Sequence, residues 1–215
     1  MDLAKFKKIL VLVPHLDDAE LGCGGTIARF VEAGMDVYYI AFSFPSGAPK
    51  DILEREGEKS RKILGIPQEN FYIHDYQVRK LPFHRQDILE DLIKWKKRVD
   101  PDLILMPSLN DLHQDHQTVA EEGLRAFKTC TILGWEQPWN QLSYSTCAFI
   151  ELKKEDVEKK ILAASCYQSQ NNRRFFEPEF LFSFARTRGV QINVEFAEAF
   201  EVVRWSIYLP NGGQL

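Results

Sequence analysis

Short apolar runs alternate with longer amphipathic stretches along most of the chain. Ile9-Leu10-Val11-Leu12-Val13 is too short for a helix and rich in aliphatic and β-branched residues, so it predicts a buried strand over 8–13. A helix follows over 24–34, closed by Gly34, then a strand over 37–42 and a helix over 51–64 closed by Gly65. The pattern continues with a strand over 71–74, a helix over 85–98, a strand over 103–106 and a helix over 115–127. Strand–helix repetition of this kind predicts an α/β fold: a doubly wound, mostly parallel sheet with helices on both faces. Past residue 130 the pattern predicts a strand over 145–152, a helix over 154–166 and one or two strands over 194–208. No linker, repeat or low-complexity segment interrupts it. The 215 residues therefore read as one domain, 1–215, with enough chain for a substantial core.

Two of the predicted strands lead into clusters of His and Asp. The first is Pro14-His15-Leu16-Asp17-Asp18-Ala19-Glu20-Leu21-Gly22-Cys23-Gly24-Gly25. The second is Asn110-Asp111-Leu112-His113-Gln114-Asp115-His116. Open α/β sheets bind ligands at the carboxyl ends of their strands. The neighbouring carboxylates of Asp17 and Asp18 repel unless a cation or separate roles justify them. Helix capping uses one carboxylate and has no need of His15. His113 and His116 share a face at a helix start. A catalytic zinc takes three protein ligands and keeps one position for water. His15, Asp18 and His116 can supply the three, leaving Asp17 for proton transfer and His113 for charge stabilisation. Asp115 is expected to orient His113. Asp111 reads as a helix cap and Glu20 as a support for the loop or helix. His74 and His84 stand alone and are left out of the site.

The two motifs together resemble the LmbE-like (PIG-L) family of zinc-dependent N-deacetylases. The resemblance implies a Rossmann-like fold and removal of acetyl groups from N-acetylglucosamine-type substrates. It implies one zinc ion per chain, with other divalent metals open, held by His15, Asp18 and His116. It makes Asp17 the general base and His113 the oxyanion stabiliser or acid. Leu16 stands where the family usually has Pro, but the ligand spacing is intact. Tyr167-Gln168-Ser169-Gln170, Arg188-Gly189 and Ala197-Glu198-Ala199-Phe200-Glu201 extend the resemblance over about 7–205. Homo-oligomer formation is frequent in the family. The alternatives are a metal-dependent phosphoesterase, which usually needs two metals and more ligands, and a catalytically silent sugar-binding module, which needs no free carboxylate beside an open metal.

Composition narrows the partners. The net charge is -4 and no basic arm exists, so nothing argues for nucleic acid. Lys94, Lys96, Lys97 and Arg98 form a solvated helix face. No apolar stretch approaches the ~20 residues of a membrane span, and residues 1–8 lack the apolar core of a signal peptide. Cys23, Cys130, Cys147 and Cys166 contain no C-x-x-C pair, which suits reduced thiols in a cytoplasmic protein. Cys23 reads as a small buried hydrophobe. Gly22, Gly24 and Gly25 do not form G-x-G-x-x-G and read as a tight strand-to-helix turn. Arg55, Arg79 and Arg188 are candidate substrate contacts, because guanidinium forks suit phosphates and carboxylates. Trp135, Trp139, Tyr144, Phe175 and Phe176 read first as core. The segment 133–140 is a candidate pocket rim.

Overall fold

A computed structural model describes residues 6–206. The elements are β1 (Lys8–His15), α1 (Asp18–Glu32), β2 (Asp36–Ser43), α2 (Lys50–Leu64), β3 (Phe71–Tyr76), α3 (Arg85–Val99) and β4 (Leu103–Pro107). They continue with α4 (Gln114–Ala126), β5 (Thr131–Trp135), β6 (Ala148–Leu152), α5 (Lys154–Ala164), α6 (Pro178–Gln191) and β7 (Phe196–Arg204). The seven strands form one sheet in the order β3-β2-β1-β4-β5-β7-β6. The first five run parallel, and β7 lies antiparallel to β5 and β6.

Both faces of the sheet are apolar, as the unbroken hydrophobic runs require. Ile9, Val11 and Val13 pack with Ile27 and Phe30 of α1, Leu64 of α2, Val157 of α5 and Leu181 of α6. Leu10 and Leu12 point the other way, with Ile88, Leu92 and Trp95 of α3 and Val119 and Ala120 of α4. This is the period-2 geometry of a strand covered on both sides. The direction of winding reverses between β1 and β4, which are neighbours in the sheet but separated by two strands in the chain. Loops leaving their carboxyl ends diverge there and open a crevice. The two His/Asp clusters follow β1 and β4.

Helix α1 begins at Asp18, earlier than the 24–34 expected, and is broken at Cys23, where φ is −146° and ψ 25°. The break would orphan amide groups of the following turn. Glu198 of β7 accepts from Gly25 N–H at 3.1 Å and Thr26 N–H at 2.7 Å, and Lys160 of α5 meets the same carboxylate at 2.5 Å. Gly22 is helical rather than part of a turn. Its lack of a side chain matters because a Cβ there would lie 2.4 Å from the Trp135 ring.

Two elements were not expected from the pattern. Strand β5 carries Gly134, which lowers strand propensity; a Cβ there would lie 3.0 Å from the Ser108 Cα. Helix α6 clusters Phe180, Leu181, Phe182, Phe184 and Ala185 without a clear 3.6-residue stripe, so periodicity does not mark it. The remaining elements match expectation to within a few residues; of the strand expected over 194–208, residues 207 and 208 lie outside the described residues. Gly34 and Gly65 both take φ of 78°, as helix ends require. No helix among the described residues is long and apolar enough to cross a membrane, and the four cysteines are unpaired.

Glu198→Ala leaves the Lys160 ammonium and two amides buried without their partner. We expect a loss of about 3–5 kcal/mol of stability, as for a broken buried ion pair, measured by urea unfolding. A loss under about 1 kcal/mol would mean that the carboxylate does not hold the break in α1.

Candidate active site

The ends of β1 and β4 bring the two clusters into contact. His15 Nδ1 lies 3.0 Å from Asp18 Oδ2, His116 Nε2 lies 3.2 Å from the same oxygen, and the two ring nitrogens are 3.2 Å apart. All three side chains are buried. Each imidazole is turned by a carboxylate behind it. His15 Nε2 bonds Asp115 Oδ2 at 2.9 Å, and His116 Nδ1 bonds Asp111 Oδ2 at 2.8 Å. Protons on those outer nitrogens leave both lone pairs facing Asp18. Three electron-rich atoms therefore converge, and only a proton or a cation makes that arrangement favourable.

Their spacing fits a metal. Ligand bonds of ~2.0–2.2 Å in tetrahedral geometry set ligand atoms roughly 3.3 Å apart. Without a metal, a proton takes up the strain. Burial alone would push the His116 imidazole down, but the Asp18 and Asp111 carboxylates outweigh it and raise its pKa to about 10. Burial likewise opposes ionisation of Asp18, yet the imidazoles of His116 and His15 hold it well below the usual carboxylate range.

His113 is a third imidazole at the centre. Its ring lies 4.8 Å from that of His15 and 4.7 Å from that of His116, centroid to centroid. The ligand atoms of the three histidines lie within 4.8 Å of one another, so an all-histidine set is a second arrangement to weigh. The triangle with Asp18 is tighter. Moreover, His113 Nδ1 already accepts the Asp115 N–H at 3.2 Å, capping α4. Its proton then sits on Nε2, which makes the free ring atom a donor and not a ligand. Burial, followed by the charges of His116 and His15, lowers its pKa to about 4. His113 is thus a neutral donor at pH 7, in place of a cation.

Asp17 stands beside the triangle with its Oδ2 buried and without a hydrogen-bond partner among the described residues. Burial and the neighbouring Asp18 raise its pKa to about 7. Arg173 Nη1 is 4.0 Å from Oδ2, an ion-pair distance rather than a hydrogen bond. A carboxylate so placed is poised to take up and release a proton near neutrality.

Several sequence-derived roles change. The Asp115 carboxylate orients His15, not His113, and is itself held by the N–H groups of Arg79 at 2.5 Å and Leu81 at 3.2 Å. Arg79 therefore serves the site through its backbone, in a left-handed conformation with φ of 65°. Arg55 is engaged by Asp51 on the exposed face of α2. Arg188 grips Glu136, with Nε 2.8 Å from Oε2, and so braces the loop after β5. Asp111 is more than a cap: it accepts the His113 N–H at 2.8 Å while turning His116. Glu20 is the expected support, receiving hydroxyls from Tyr39, Ser60 and Tyr167. The Ser-Gln segment is tied to α2 through Ser169 Oγ and Glu56, 2.6 Å apart. Trp139 and Phe175 stack at 4.3 Å. His74 accepts from Trp95 Nε1 at 3.1 Å, and His84 is paired with Asp87. Arg173 was missed, since nothing in the local pattern marks it; Gln137 lay inside the candidate rim but was not singled out.

Folding strengthens the hold of His116 on its proton. The stability this gives metal-free protein is fully present below pH 6.5 and is lost as pH rises toward 10. His116→Ala is therefore expected to flatten the alkaline decline in stability of chelator-treated protein, followed by urea unfolding from pH 6.5 to 10. An equally steep decline in the variant would assign it to other groups.

A family model described as PIG-L, GlcNAc-PI de-N-acetylase, matches residues 10–127. An uncharacterized deacetylase of Escherichia coli K12, YaiS, is 30% identical over 174 residues, covering 77% of this chain and 92% of that protein. A diacetylchitobiose deacetylase of Thermococcus kodakarensis is 29% identical over 133 residues, covering 56% of this chain and 49% of that protein. Among solved structures, the N,N'-diacetylchitobiose deacetylase of Pyrococcus horikoshii superposes with a TM-score of 0.77 at 22% identity, covering 92% of this chain and 84% of that one.

Proposed function

We propose a substrate and a mechanism for a chain that belongs to the PIG-L family, GlcNAc-PI de-N-acetylase. The reaction is hydrolysis of the acetamido group of an N-acetylglucosamine-type sugar or conjugate, giving acetate and the free amine. The observation that carries this reading is the convergence of His15 Nδ1, Asp18 Oδ2 and His116 Nε2 within 3.2 Å, with the unbonded Asp17 oxygen beside them. The family description and the Thermococcus kodakarensis relative support the choice of a sugar amide.

His15, Asp18 and His116 would hold a zinc or other divalent ion, which when bound would supply Lewis-acid polarisation of the amide carbonyl and a lowered pKa for the attacking water. Asp17 accepts the proton of the attacking water at Oδ2 and returns it to the departing amine. His113, neutral and protonated on Nε2, donates a hydrogen bond to the oxygen that becomes negative as the carbonyl carbon turns tetrahedral. Asp111 and Asp115 keep the two ligand imidazoles in the tautomers the centre needs. A silent sugar-binding module has no use for a proton-transfer carboxylate at this point. A phosphoesterase with two metals needs a further set of ligands, and the described residues hold one such histidine cluster. The four unpaired cysteines support a reducing, cytoplasmic compartment.

Acetate release from N-acetylglucosamine, diacetylchitobiose and nucleotide- or lipid-linked forms tests the reaction class. Asp17→Asn keeps the shape but not the basicity. It should retain bound metal and lose ~10²–10⁴ in kcat; an empty centre in this variant would make Asp17 a ligand. His113→Ala should also stay loaded and lose ~10²–10³ in kcat with KM little changed, as when one oxyanion donor is removed. Loss of metal from His113→Ala would favour the all-histidine set over the triangle with Asp18.

A further inference from the structure

Gln137 reaches the centre from a third strand end, on the loop after β5. It is wholly buried. Its Nε2 donates to the Asp18 main-chain carbonyl at 3.2 Å and to Asp18 Oδ1 at 3.3 Å. Both partners are acceptors, so the amide must turn its nitrogen toward them and its Oε1 away. No donor among the described residues reaches Oε1, and the atom is sealed from solvent. A buried acceptor without a donor is unfavourable, and an apolar side chain of similar length would avoid it.

The loop does not depend on that amide for its own shape. Gln137 N–H donates to Gln141 Oε1 at 2.9 Å, and the adjacent Glu136 is gripped by Arg188. What the amide does control is Asp18. Oδ2 of that carboxylate takes the His15 N–H at 2.9 Å and faces the two ring nitrogens. Gln137 is the side chain that donates to the other oxygen, Oδ1. The terminal torsion of Asp is soft, so a donor on Oδ1 fixes which oxygen faces the imidazoles and at what angle.

We propose that Gln137 is a positioning residue for Asp18: its amide sets the rotation of the carboxylate and thereby the affinity of the centre for its metal. The proposal rests on the reading of His15, Asp18 and His116 as the ligands. It also accounts for a buried amide whose oxygen has no donor among the described residues.

The test is titration of metal-free protein with Zn²⁺ against a chromophoric chelator, with thermal unfolding of the metal-free forms alongside. Gln137→Met removes the donor and the unpaired acceptor together. We expect its metal-free Tm to stay near that of the wild type and its Zn²⁺ affinity to fall about 10–100-fold, the effect of losing a hydrogen-bond partner behind a metal ligand. Gln137→Glu keeps the length but sets an acceptor against Asp18 Oδ1, and should bind more weakly still. Wild-type affinity in either variant overturns the proposal. So does a fall in affinity matched by a fall in metal-free Tm, which would make Gln137 merely structural. A wild-type chain that takes up no Zn²⁺ overturns the ligand reading itself, and this proposal with it.

Discussion

Three electron-rich atoms are held within 3.2 Å of one another where water scarcely reaches: His15 Nδ1, Asp18 Oδ2 and His116 Nε2. Left to themselves they would separate. The fold keeps them together by spending other groups on them. Asp115 and Asp111 hold the outer nitrogens of the two imidazoles, the His15 N–H holds Asp18 Oδ2, and Gln137 holds Asp18 Oδ1. Positive charge at the centre of the triangle strengthens the two imidazole–carboxylate contacts with Asp115 and Asp111, and the upward pull on the His116 pKa is the same demand met by a proton. Metal and proton compete for one place, so affinity for metal is expected to rise with pH over the range in which His116 gives up its proton.

The architecture supplies these groups from separate strand ends. His15, Asp17 and Asp18 follow β1, the histidines and Asp111 follow β4, and Gln137 follows β5. β1 and β4 flank the reversal of winding in the sheet, where a crevice is geometrically unavoidable. β5 is the next strand outward. Behind the crevice, the break in α1 at Cys23 is capped from β7 by Glu198, so the short turn carrying Asp18 has its own direction, independent of the longer helix. Asp17 differs from its neighbour because nothing among the described residues bonds its Oδ2. The same burial that would raise both carboxylates is cancelled at Asp18 by two imidazoles and left standing at Asp17. Adjacent residues thus acquire opposite proton affinities, one suited to holding a cation and the other to moving a proton.

What the sequence made legible was local. His15, Asp17 and Asp18 lie within four positions, and Asp111, His113, Asp115 and His116 within six, directly after apolar runs whose length and composition mark strands. The parallel core β1 to β4 follows from those runs. The partners of these residues were less legible, because the sheet and not the chain brings them near. Gln137 lies 119 residues from Asp18, and Asp115 lies 100 residues from His15. From spacing alone, Asp115 belonged with His113 two positions away, but helix geometry turns its carboxylate toward the other strand end. Strand β5 hid behind Gly134, which the close approach of Ser108 requires, and α6 hid behind an apolar composition with no period. Arg55 and Arg188, candidates for their guanidinium chemistry, pair with Asp51 and Glu136, whereas Arg79 meets the site through its backbone N–H in a left-handed conformation.

Anomalous diffraction at the zinc absorption edge, on crystals of the metal-loaded protein, tests the central claim most directly. We expect one strong peak per chain, about 2.0–2.2 Å from each of His15 Nδ1, Asp18 Oδ2 and His116 Nε2, with His113 Nε2 outside bonding distance. A peak bonded to His113, or one that leaves Asp18 uncoordinated, would contradict it.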